Sequence, residues 1–113
     1  MTEARDTVQL LHLLGYLYGC HGQAKRGVAY LLIAIQLSPD NPRILRTLAH
    51  LLILDRQADR ALTTISRLER LEGADHPALA LMKSRALLVA GEAEEARRSF
   101  RSFLTLREHV DPV

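Results

Sequence analysis

The chain has 113 residues, 48% of them apolar and 25% charged, with a net charge of +2. That is one domain's worth of material, too apolar for a disordered chain and too weakly basic to demand a polyanionic partner. Twenty-two Leu and 14 Ala, against five Val, five Ile, five aromatics and no Trp, favour helix and exclude an all-β fold.

The opening residues Thr2-Glu3-Ala4-Arg5-Asp6 lack the basic start of a signal peptide. The longest apolar run, Val28 to Ile35, has eight residues, far short of the roughly 20 that span a bilayer. A single cysteine, Cys20, excludes an internal disulfide framework and suits a reducing compartment. The expected location is the cytoplasm, with no membrane insertion. Thirteen of the fifteen cations are Arg, a composition compatible equally with protein interfaces and with codon bias.

From residue 8 onward the chain is punctuated at a period of about 34 residues, the length of a tetratricopeptide repeat. The first segment, 8–41, carries Leu14-Gly15, Tyr18, Gly22, Gly27, Ala34 and Pro39, with Gly27 in the slot usually held by Ala. Gly15 and Gly27 are small where two helices cross, Gly22 ends the first helix, and Pro39 stops the second. The second segment, 42–76, keeps Leu45, Leu48-Ala49, Leu52, Ala61, Ile65 and Leu68 but offers Asp55-Arg56-Gln57 where the turn glycine would be. The third, 77–110, has Leu87, Gly91, Ala96, Phe100 and Phe103, displaced by one extra residue assigned to the loop Glu72-Gly73-Ala74-Asp75.

Pro42 and Pro77 suit the first helical turn, with Asn41 and Asp75 as candidate N-caps. The spacing therefore predicts an all-α solenoid of three helix-turn-helix repeats in one domain, 1–113. Its six helices are expected near 6–20, 24–37, 42–54, 58–71, 77–90 and 93–108.

In such a solenoid the first helix of each pair lines the concave surface. Steps of three and four residues along those helices place His12, Tyr16, Arg43, Arg46, His50, Ile53, Leu54, Leu81, Arg85 and Leu88 on the expected groove, with Gln9, Gly19, Cys20, Ala78 and Val89 beside them. None of these fifteen is acidic. The mixture of apolar groups, Arg and His suits an amphipathic segment carrying carboxylates. A second apolar surface is expected at the first hairpin, through Leu10, Leu13, Leu17, Tyr30 and Ile33. With no earlier repeat to cover them, these should recruit a partner or a second copy, whereas Arg97, Arg98, Arg101 and Thr105 let the last helix face water.

Neither metal-binding nor nucleophile spacing is present: Cys20-His21 is adjacent in sequence, and no Cys-x-x-Cys or His-Glu-x-x-His occurs. Cys20 is expected to be buried or to line the groove. Glu92, Glu94 and Glu95 suit a helix N-terminus better than acid–base catalysis. The six glycines are scattered singly, so no phosphate loop exists. The expectation is a non-enzymatic protein with no cofactor, no metal and no nucleic-acid partner.

Total length, three repeats, the stretch Gly15-Tyr16-Leu17-Tyr18-Gly19-Cys20-His21-Gly22, and the closing stretch from Gly91 through Ala96-Arg97, Phe100, Phe103-Leu104 and Leu106 to Glu108-His109 resemble the small tetratricopeptide chaperones of bacterial type III secretion. The likeness is greatest to the YscY (SctY) type. That resemblance implies a cytoplasmic chaperone that holds an early secreted SctX-type component and brings it to an SctV-type export gate. Separately from the resemblance, the uncovered apolar surface of the first hairpin leads to the expectation of a homodimer when the client is absent. A needle-subunit co-chaperone and a self-pairing scaffold are the alternatives. The Lys and Asn of carboxylate-clamp domains are missing, since His12, Tyr16, Thr47, Ala78 and Met82 stand there.

Overall fold

The computed structural model describes residues 2–110, with the side chains of 2–108. It contains six helices: α1 Thr2–Cys20, α2 Ala24–Leu37, α3 Pro42–Leu54, α4 Ala58–Glu72, α5 Pro77–Val89 and α6 Ala93–Val110. No strand occurs among the described residues. Consecutive helices pack as three hairpins, α2 meets α3 and α4 meets α5 between them, and α1, α3 and α5 line one side. The body measures 42 × 31 × 23 Å.

Each hairpin turns in the same way. The amides of Gln23, Gln57 and Glu92 donate to the carbonyls of Tyr18, Leu52 and Leu87 at 2.8–2.9 Å, a six-to-one closure that satisfies the last open carbonyls of each first helix. Such a closure needs one residue in the left-handed region. Gly22 (φ 76°) and Gly91 (φ 84°) supply it without strain, and Arg56 adopts φ 59° in the second repeat, where the glycine is missing.

Between repeats, Asn41 caps α3 as expected, its Oδ1 accepting from the amides of Arg43 and Ile44 at 3.1 and 3.4 Å. Asp75 does not cap α5. The N-cap position falls on His76, whose side chain makes no capping bond. The extra residue of the third repeat is not in the loop either. Both inter-repeat connections span four residues, and α4 is 15 residues long where α2 has 14. Glu72, the added helical residue, is retained there by Arg46 Nη1, which donates to both of its carboxylate oxygens, and Gly73 (φ 92°) ends the helix after it.

The core runs through α3. Ile44, Leu45, Leu48, Ala49, Leu51, Leu52 and Ile53 are all buried, joined by Val28, Leu31, Ala34, Ala61, Ile65 and Ala86 from neighbouring helices. The first hairpin closes on glycine. A Cβ at Gly27 would sit 2.6 Å from the Gly15 carbonyl oxygen and 2.6 Å from a Leu51 methyl, and one at Gly15 would meet the Leu31 side chain at 2.6 Å. Alanine is therefore too large at Gly27 in this chain, because the obstruction is backbone and cannot rotate away.

Gly27→Ala is expected to lower stability by about 1–3 kcal/mol, read as a drop in the thermal midpoint by circular dichroism. Arg56→Gly is expected to raise it by about 0.5–1 kcal/mol through release of the left-handed strain. A lower midpoint for Arg56→Gly would count against that account of the second turn.

Candidate functional site

The largest recess, about 1010 Å³, lies along α1 and α3. Arg5, Gln9, His12, Leu13 and Tyr16 line it from α1; Arg43, Ile44, Arg46 and Thr47 from α3; and Leu37, Ser38 and Asn41 close its end. None of its lining residues is acidic. The recess exists because the crossing of α1 on α2 holds the Leu51 side chain against Gly19 and Gly27, and this sets α3 at a fixed distance from α1. Gly19, read from sequence as a groove residue, is a packing position.

Two side-chain bonds tie successive lining helices together. With the Thr47 hydroxyl donating to the Arg43 carbonyl at 3.2 Å, the His12 Nε2–H donates to Thr47 Oγ1 at 2.8 Å, linking α1 to α3. Arg85 Nη1 donates to His50 Nδ1 at 3.2 Å, linking α5 to α3. Both bonds span 35 residues, one repeat. Burial pushes both imidazoles below their ordinary range, and the guanidinium of Arg43 beside His12 and of Arg85 beside His50 adds to the shift. Both rings are held neutral, so His50 can accept from Arg85.

The expected groove residues divide into three groups. His12, Tyr16, Arg43 and Arg46 come together in the recess. Tyr16 and Arg43 are exposed, and Arg43 makes no ion pair among the described residues. Arg46 is already committed, bonding both Glu72 carboxylate oxygens at 2.7 and 2.6 Å, so it buttresses the wall instead of standing free for a ligand. Farther along, Leu54 and Leu88 are open, Leu88 at 62% exposure, while His50, Leu81 and Arg85 are half-buried. Ile53 is a correction. At 5% exposure it belongs to the core, because α3 has neighbours on most of its sides.

At the first hairpin, Leu10, Leu13, Leu17 and Ile33 are open, and Leu13 also borders the recess. Tyr30 does not join them. It is half-buried and stacks on Tyr18 with centroids 5.3 Å apart, while Arg26 lies over the Tyr18 ring at 5.9 Å. Cys20 is exposed and does not line the recess, and interaction with its thiol pushes the Tyr16 phenol above its ordinary value. Sequence reasoning missed Arg5 and Leu37 as recess residues. Arg5 falls before the expected start of α1, which begins at Thr2, and Leu37 sits on a second helix. Arg98, Arg101 and Thr105 line a separate cleft of about 580 Å³ with Glu69, Asp75 and Lys83, where charges of both signs face one another.

Because both histidines have lowered values, the unfolded chain binds more protons than the folded one below the ordinary value of 6.5. Their contribution is complete above that pH and is lost as pH falls through it. The thermal midpoint is expected to decline from about pH 7.5 to about pH 5.5, above most carboxylate titration. The double variant His12→Gln/His50→Gln should flatten that slope, and an undiminished slope would assign it to other groups.

No family model and no curated protein matches the sequence. Among solved structures the chain is similar to MamA MSR-1 C2, a tetratricopeptide-type protein, with a TM-score of 0.81 at 19% identity. The match covers 97% of this chain and 63% of that one, so this chain spans less than two thirds of its neighbour's length. No helix among the described residues is long and apolar enough to cross a membrane. Six helices in three hairpins, with a tetratricopeptide-type neighbour, make this chain an all-α helical-repeat solenoid.

Proposed function

We propose that the chain is a non-enzymatic protein-binding module whose recess along α1 and α3 holds a helical segment of a client protein. The observation that supports this most directly is the composition of that recess. Tyr16, Leu13 and Leu37 offer apolar area that is half or more exposed, and Arg5 and Arg43 stand beside it with no acidic side chain in the lining. An amphipathic helix with an apolar stripe and flanking carboxylates complements that pattern. Beyond the recess the same helix would run past Leu54 and Leu88, which are open at the far ends of α3 and α5. Burial of the stripe would supply most of the affinity, and the arginines would set orientation and encounter rate.

The resemblance in the first and last turns extends this to a specific client. On that reading the module is a cytoplasmic type III secretion chaperone of the SctY type, holding an SctX-type component for delivery to an SctV-type export gate.

Co-expression with an SctX-type protein should yield a defined heterocomplex by light scattering. Tyr16→Asp, Arg43→Glu and Leu88→Asp should each weaken capture by at least about tenfold, with the helical circular-dichroism signal intact. Capture of an acidic amphipathic helix but not of the SctX-type protein would remove the named client and leave the module. Full retention by all three variants would remove the recess as the binding site.

A further inference from the structure

Among the described residues, seven of the eleven large apolar side chains left open sit on the first hairpin, and three of them form one line on α1. At 100° per residue, Glu3, Asp6, Leu10, Leu13 and Leu17 of α1 fall within an arc of about 80°, and His21 follows in the turn just after the helix. All six are exposed, with Leu10 at 55%, Leu13 at 53% and Leu17 at 41%. The arc points away from both packing partners of α1. Gly15 meets α2 through Leu31, and Gly19 and His12 meet α3 through Leu51 and Thr47. The spacing of 3, 6, 10, 13 and 17 is the a/d repeat of a two-helix seam.

We infer that this stripe is a self-complementary interface that pairs α1 with α1 of a second copy, antiparallel, about a two-fold axis between the levels of Leu13 and Leu14. The charges argue for the second copy and for its direction. Glu3 and Asp6 continue the stripe at its N-terminal end, His21 continues it at the other, and Lys25 and Arg26 open α2 just beyond. The stripe is acidic at one end and apolar in the middle, with the cations Lys25 and Arg26 just beyond its other end, so its own reverse complements it.

With the axis between the levels of Leu13 and Leu14, Leu10 faces Leu17 of the second copy, and Asp6 lies opposite its His21. Reversal also opposes the two helix dipoles. An isologous contact of this kind satisfies both copies at once and closes the assembly at two. Apart from Leu13, at its border, the stripe lies outside the recess lining, so pairing leaves Tyr16 and Arg43 free to bind a client.

Sedimentation equilibrium of the whole chain should show a reversible monomer–dimer exchange in roughly the micromolar range. Leu10→Asp and Leu17→Asp, both outside the recess, should each shift the chain to monomer without loss of helical signal. Asp6→Lys should weaken pairing several-fold, and Asp6→Lys with His21→Asp should restore it. Leu13→Cys in a Cys20→Ser background should give a cross-linked dimer with a short bis-maleimide. The native Cys20 should give none, because antiparallel pairing holds the two copies of that residue about 20 Å apart.

A Cys20 cross-link would overturn the direction of pairing. A chain monomeric at every concentration, or a dimer indifferent to Leu10→Asp and Leu17→Asp, would overturn the interface. Loss of client capture by those two variants, with no dimer in the unaltered chain, would give the stripe to the client instead. Tyr16→Asp should leave the dimer unchanged, which separates failure of this interface from failure of the proposed groove.

Discussion

The geometry of this molecule depends on a contact made by the absence of side chains. Gly15 and Gly27 let α1 and α2 approach until a Cβ on one would collide with the carbonyl oxygen of the other, and Leu51 of α3 fills the space left beside Gly19 and Gly27. That leucine against those glycines, together with Val28, Leu31 and Ala34 of α2 packed on α3, places the second hairpin on the first. The bond from His12 to Thr47 spans the gap the contact leaves, and the recess is the open part of that gap. Larger residues at these positions would separate α1 from α3 and change the recess before they changed any residue lining it.

A second consequence is the burial of α3. Helix α1, the outer element of the first hairpin, buries only Gly15, whereas α3 buries seven residues. The same nominal groove position is therefore occupied differently in successive repeats. It holds a packing glycine at residue 19, a core isoleucine at residue 53 and an open leucine at residue 88. Among the described residues α3 has a hairpin on either side of its own, so its positions are covered where those of α1 and α5 stay more open.

The electrostatics follow the same logic. Arg46 and Arg85 are directed at partners inside the chain, Glu72 and His50, while Arg5 and Arg43 are exposed beside the recess. The Arg46–Glu72 pair is partly exposed, so its worth is modest, and its effect is to fix the wall and turn Arg46 Nη1 toward Glu72. Helix α1 then presents two unlike surfaces, a basic and apolar recess on one side and a leucine stripe that begins with Glu3 and Asp6 on the other.

The amino-acid sequence by itself determined the helices, because the signals are local. Gly22 and Gly91 at left-handed turns, Pro42 and Pro77 at first turns, Asn41 as a cap, and the recurrence of small residues all act within a few positions of themselves. Leu10, Leu13 and Leu17 were legible as an uncovered line for the same reason, since helical spacing alone puts them on one face. The tertiary structure decided what the groove retains. Ile53 was withdrawn by helices on several sides of α3, Arg46 by a glutamate 26 residues away, and Tyr30 by the ring of Tyr18 across the hairpin. Each outcome depends on a neighbour brought close by folding, and periodicity along one helix carries no information about what the next helix places against it.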